Sequence, residues 1–136
     1  MTVEELFGTL QQSIIAEWRE HLKTSKYSSH MALDEFYKEM PEKVDALIEA
    51  YQGINHTKVE NYKCIINAKD HDALSYLNTL HDIVKDGREL MNGESELESL
   101  IDDCLSLIDS TIYKLERLSE HRSLGEMLVD LLNESR

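Results

Sequence analysis

Proline occurs once in the 136 residues and glycine five times, and the aromatic share is only 7%. So few turn-formers cannot punctuate the many short strands of a sandwich or barrel, and the expected class is all-α. Apolar runs extend only a few residues, too short for a membrane-crossing helix. Met1 is followed by Thr-Val-Glu-Glu instead of a basic flank and an apolar block, so no secretory leader is expected. Cysteine is limited to Cys64 and Cys104, without CxxC-type spacing, which leads us to expect reduced thiols in a cytoplasmic protein. Basic side chains are also scarce, 14 against 27 acidic, for a net charge of -13. Duplex DNA repels such a surface and no Lys/Arg-rich tail offsets it, so DNA binding is not expected. Acidity of this degree suits cation handling, plain solubility, or imitation of nucleic acid.

Helix punctuation, by contrast, is abundant. The pattern S/T-x-x-E occurs at Thr2/Glu5, Thr57/Glu60, Ser95/Glu98 and Ser123/Glu126. In each, the hydroxyl accepts from an N3 amide while the glutamate reaches back to the N-cap amide. A first helix is expected over Val3–Lys23, with Leu6, Leu10, Ile14 and Trp18 at four-residue steps. A second is expected from Ser28 or Ser29 to just before Gly53, carrying Leu33, Phe36, Met40, Val44, Leu47 and Ile48, and kinked or broken at Pro41.

Beyond it lies a short element, either a helix after Thr57 or an extended run at 62–66. Asp70 or Asp72 would cap a third helix that reaches Met91 and is stopped by Asn92-Gly93. The fourth would run from Glu96 to His121 on a continuous Leu/Ile stripe, and residues 123–136 form a short amphipathic helix. The expectation is one domain, residues 1–136: a four-helix bundle with a short element between the second and third helices and a short C-terminal helix. Cys64 and Cys104 are expected inside their helices, and His81 beside Asp82 reads as a surface pair.

The chemistry concentrates in residues 18–53. His21 is followed by His30 and Asp34, four apart, and then by Asp45 and Glu49, again four apart. Residues i and i+4 lie on one helix face, so each pair can converge on a single ion. Imidazole with carboxylate suits iron, zinc or manganese better than calcium or magnesium. Asp34 and Asp45 are 11 residues apart, close to three turns, so they share a stripe. The rise between them, roughly 16 Å, is far too long for one ion. If all five residues are ligands, one chain supplies half a site and a second chain the other half. Taken singly, each pair is also what a solvated, charged helix face supplies.

The ordered set, His21, then His30-x-x-x-Asp34, then Asp45-x-x-x-Glu49, resembles that of the Dps-like mini-ferritins of the ferritin-like superfamily. The resemblance implies a ferritin-like bundle with a ferroxidase-type centre at a two-fold dimer interface. His21, His30 and Asp34 of one subunit would then bind iron (Fe2+/Fe3+), or another divalent transition metal, together with Asp45 and Glu49 of its mate. It implies Fe(II) oxidation and a homo-oligomer, a dimer at least and a dodecamer in that family. The chain departs from the pattern in a shorter connection between His21 and His30, in Pro41, and in lacking a tryptophan next to the first histidine, although Trp18 lies one turn earlier. No Glu-x-x-His occurs, which disfavours a di-iron centre inside one subunit. The contrasting expectation is a non-catalytic acidic helical protein, structural or a nucleic-acid-mimicking inhibitor, in which the five residues are only surface charge.

Overall fold

The computed structural model describes residues 1–118, 128–129 and 131–133. Among them there is no strand, and four long helices dominate: α1 Val3–Lys23, α2 Tyr27–Asn55, α3 Ala73–Gly87 and α4 Ser95–Tyr113. The expected capping box starts α1, with Thr2 accepting from the Glu5 amide at 3.2 Å while Glu5 accepts from the Thr2 amide at 2.9 Å. Asp72 caps α3 through the Ser75 amide at 2.8 Å. A 3₁₀ turn, Arg88–Met91, extends α3 to the expected Met91, where Asn92 and Gly93 take positive φ and reverse the chain. A π-helical turn, Lys114–Leu118, follows α4. The expected end at His121 and the Ser123/Glu126 start lie outside the described residues.

Three local expectations are corrected. Helix α2 runs through Gly53 to Asn55, and His56 supplies the left-handed cap at φ 51°, a conformation histidine enters more readily than most residues. No helix follows Thr57. Three amides of this segment are used elsewhere: Val59 donates to the Gln52 side chain, Lys63 to the Glu4 carbonyl and Ile65 to the Thr9 hydroxyl. The short element here is an extended run ending in a 3₁₀ turn, Ala68–Asp70. The Ser95/Glu98 box does not form, because the Glu94 carbonyl already accepts from Leu97 and Glu98 and the helix begins one residue earlier.

The buried face of α1 also differs from the four-step stripe. Each four-residue step on a helix overshoots a full turn by about 40°, so a stripe from Leu6 to Trp18 drifts off the core by roughly a third of a turn. The buried positions Leu6, Leu10, Ser13, Glu17 and His21 instead include one three-residue step, from Leu10 to Ser13, which returns the stripe toward the core. Trp18 is left half exposed, 48%.

α1 packs on α2 and α3, and α4 packs on the same two helices, with all four apolar faces meeting in one core. Residues 56–72 carry the chain back along α1, from Glu4 past Thr9, and deliver Asp72 close enough to influence Glu17. α3 then returns until Gly87 abuts Leu6. The far end of α4 reaches the start of α2, where Lys114 pairs with Glu35. Thus α1 and α4 run one way, and α2 and α3 the other. Between α3 and α4, Arg88 holds Asp102 through two parallel bonds (2.8 and 3.0 Å) and Glu98 through a third (3.0 Å). No described helix is long and apolar enough to cross a membrane.

Gly53 has nothing within 4 Å of the position of an added Cβ and sits inside α2. Gly53→Ala is expected to raise the unfolding free energy by about 0.5–1 kcal/mol, measurable by urea denaturation, because it removes a helix-interior glycine. A loss of stability would show that the helix needs flexibility there.

Candidate metal centre

The three-residue connection at 24–26 folds the end of α1 onto the start of α2 and brings His21 against His30. The two imidazoles stack, with ring centroids 3.6 Å apart and planes inclined by 23°. Each ring binds the backbone of the other: His21 Nδ1 lies 2.7 Å from the His30 carbonyl, and His30 Nδ1 lies 2.9 Å from the His21 carbonyl. A carbonyl oxygen only accepts, so both Nδ1 atoms carry the proton, and in the neutral rings both Nε2 atoms keep their lone pairs. Metal-ligating histidines are oriented in this way, by a hydrogen bond from the second ring nitrogen. His21 is nearly buried, at 6% exposure.

Asp34 follows one turn after His30, with its Oδ1 3.9 Å from His21 Nε2, beyond hydrogen-bond reach. The Tyr37 hydroxyl donates to Oδ1 at 3.2 Å, and the Lys38 ammonium lies 2.9 Å from Oδ1 and 3.0 Å from Oδ2. The bond from Lys38 is the main reason that the Asp34 carboxyl is held below its ordinary pKa, with Tyr37 and the Lys38 and His21 charges adding to it. Tyr37 also sets its ring edge against His21 (centroids 5.1 Å) and stacks on Trp18 (5.6 Å, 21°). Ile15, Trp18 and Leu22 form an exposed apolar stripe on α1 beside this wall.

Asp45 and Glu49 are exposed, and no hydrogen bond or ion pair to a described residue engages either. Pro41 lies on the exposed side of α2, which continues past it unbroken. The stripe shared by Asp34 and Asp45 is therefore kept. The structure brings together His21, His30 and Asp34 and leaves Asp45 and Glu49 further along the helix. Among the described residues, no group of three or more His, Cys, Asp or Glu side chains is arranged to hold a metal ion within one chain.

Several polar groups escaped the sequence reading. Lys38 stands four residues after Asp34, a spacing that could have identified it. Glu17 is fully buried on the core face of α1, and neither carboxylate oxygen has a hydrogen-bond partner. Burial, followed by the charges of Glu20 and Asp72, pushes its pKa up to about 9. The Tyr76 hydroxyl is buried and unpartnered too, and burial with the nearby Cys64 and Glu17 raises it well above the ordinary phenol range. Cys104 is in the core as expected, its thiol pushed up to about 12 by burial, whereas Cys64 is exposed on the extended run and donates to the Ile66 carbonyl. His81 bridges Asp82 (3.3 Å) and Asp109 (3.2 Å) on the surface of α3 and α4.

A family model matches residues 21–115 of this chain, described as a family of unknown function. The chain belongs to DUF5856. The matched DUF5856 region begins at His21, so it contains all five candidate ligands and the whole of α2, α3 and α4. No curated protein and no solved structure matches the chain.

Proposed function

We propose that this DUF5856 protein is a Dps-like iron-binding protein that oxidises Fe(II) at a centre shared by two subunits. The observation that carries it is the reciprocal His21–His30 pair, which directs both Nδ1–H groups to backbone carbonyls. The neutral rings therefore keep their Nε2 lone pairs for an ion, with His21 Nε2 3.9 Å from the Asp34 carboxylate. The donor set fits iron: two nitrogens and three carboxylates suit Fe(II) and related divalent transition metals. The helix order also supports a ferritin-like bundle, because α2 and α3 run the same way and are joined by one long crossover.

Symmetry supports the second half. A two-fold axis crossing α2 between Glu39 and Met40 lies midway between Asp34 and Asp45, and also midway between His30 and Glu49. Two antiparallel copies of α2 about that axis set Asp34 opposite Asp45 of the partner subunit and His30 opposite Glu49 of the partner subunit. The exposed stripe of Ile15, Trp18 and Leu22 gives such a dimer apolar surface to bury.

In this reading His21 and His30 orient the ion through their Nε2 atoms, and Asp34 with the partner's Asp45 and the partner's Glu49 offsets its charge. Fe(II) bound there supplies the electrons for reduction of oxygen or peroxide. The Trp18–Tyr37 stack covers one side of His21, through the edge of the Tyr37 ring. A cytoplasmic setting and assembly from the dimer to a dodecamer belong to the same proposal.

Chains carrying His30→Ala and chains carrying Asp45→Ala are each expected to oxidise Fe(II) at least tenfold more slowly than wild type while keeping their helical signal. Mixed and re-annealed, the two variants are expected to recover about a quarter of wild-type sites, because half of the dimers are mixed and each of those holds one intact centre. No recovery on mixing would rule out a shared centre. Unchanged rates in both single variants would leave the acidic, non-catalytic helical protein as the reading.

A further inference from the structure

We infer that the Lys38 ammonium is a built-in counter-ion of the centre, seated on Asp34 when metal is absent and displaced when a cation binds; this rests on the shared metal centre proposed above. Lys38 straddles both Asp34 oxygens, at 2.9 and 3.0 Å, and the Tyr37 hydroxyl takes a further position on Oδ1 at 3.2 Å. A carboxylate offers about four lone-pair directions. Those two donors take three of them: two on Oδ1, the oxygen 3.9 Å from His21 Nε2, and one on Oδ2. An ion shared with His21 must therefore displace a donor from Oδ1. A divalent ion coordinated by Asp34 would meet the ammonium at close range, so the two cations compete for one carboxylate.

The geometry also lets Lys38 leave. Its side chain is 61% exposed, and its four-carbon stem swings without disturbing the core. The Tyr37 ring, 5.9 Å from the ammonium, offers it a resting surface outside the ligand positions. Lys38 further stands next to the Glu39–Met40 midpoint of α2, where the proposed two-fold axis crosses. Two copies of Lys38 therefore flank that axis, among carboxylates brought in by both subunits. With metal absent they reduce the repulsion between Asp34 and the partner's Asp45. With metal present they oppose the incoming charge. One side chain thus stabilises the metal-free dimer and weakens metal binding, two effects of opposite sign.

Lys38→Met keeps the length of the stem and removes the ammonium. Co(II), titrated into the full chain and followed by its ligand-field absorption, is expected to bind roughly two- to fivefold more tightly to Lys38→Met than to wild type. Analytical ultracentrifugation without metal is expected to show weaker self-association of the same variant by a similar factor. Lys38→Arg, which keeps the charge, is expected to behave like wild type in both measurements. Equal or weaker Co(II) binding by Lys38→Met, with binding abolished in His30→Ala, would overturn the counter-ion role and leave the metal centre standing. Equal Co(II) binding by wild type and His30→Ala would overturn both.

Discussion

Gly8→Ala is expected to lower the unfolding free energy by about 2–4 kcal/mol, the largest loss among alanine substitutions at the described glycines. An added Cβ at residue 8 would stand 2.3 Å from the Lys63 carbonyl oxygen, 2.4 Å from its nitrogen and 2.6 Å from its carbonyl carbon. These are backbone atoms of the extended run, tied down by the bond from the Lys63 amide to the Glu4 carbonyl at 3.1 Å. Neither α1 nor the run can yield without losing that bond or its neighbour from Ile65 to Thr9. Urea denaturation measures the loss, and hydrogen exchange at residues 57–67 shows where it falls. Gly87→Ala is the informative contrast, because the atoms nearest its new methyl belong to the Leu6 side chain, the first at 2.6 Å, and a side chain gives way more readily than backbone. A Gly8→Ala protein as stable as the Gly87→Ala protein would mean that the crossover does not lie on α1 as described.

The second large effect concerns Glu17. Its folded pKa of about 9 lies far above the ordinary 4.5, so the folded chain holds a proton that the unfolded chain releases between those values. The stability contributed by that proton is fully present below pH 4.5 and is lost as the pH rises through 9. The slope is up to about 1.4 kcal/mol per pH unit. Glu17→Gln does not titrate, and Glu17→Met also removes the unpartnered polar atoms from the core. Thermal unfolding from pH 5 to pH 8.5 is therefore expected to show wild type losing stability relative to both variants. Glu17→Met should end on the order of 2–4 kcal/mol above wild type at pH 8. Parallel pH profiles for the three proteins would show that the carboxyl is not sealed in the core. Asp34 and Asp102 act with the opposite sign, since both are held below their ordinary values by Lys38 and Arg88, and their contributions fade at acid pH. The difference between wild type and Glu17→Gln isolates the one group.

Much of the helix layout was legible because it depends on neighbours in the chain. Thr2 with Glu5 and Asn92-Gly93 act over a few residues, and the structure has them where the pattern put them, while of the two cap candidates for α3 it uses Asp72. The same local logic failed at Thr57 and Ser95. At Thr57 the competing acceptors, Gln52 and Glu4, come from other helices and draw the backbone into an extended path. At Ser95 the preceding turn had already supplied the first carbonyl. Pro41 was the ambiguous residue, since a helix interior penalises proline by a fixed local cost. Core contacts of Phe36, Met40, Val44 and Leu47 on both sides of it outweigh that cost and keep α2 continuous.

For the candidate centre, sequence by itself determined the order and spacing of His21, His30, Asp34, Asp45 and Glu49, and helical rise alone splits them into two groups. Tertiary structure decided what no spacing contains: that the two imidazoles stack and exchange hydrogen bonds with each other's backbone, that Lys38 sits on Asp34, and that Glu17 is enclosed without a partner. The physical reason is reach. Periodicity reports which face of its own helix a residue occupies, whereas protonation, tautomer and ion pairing depend on groups that another segment carries into contact.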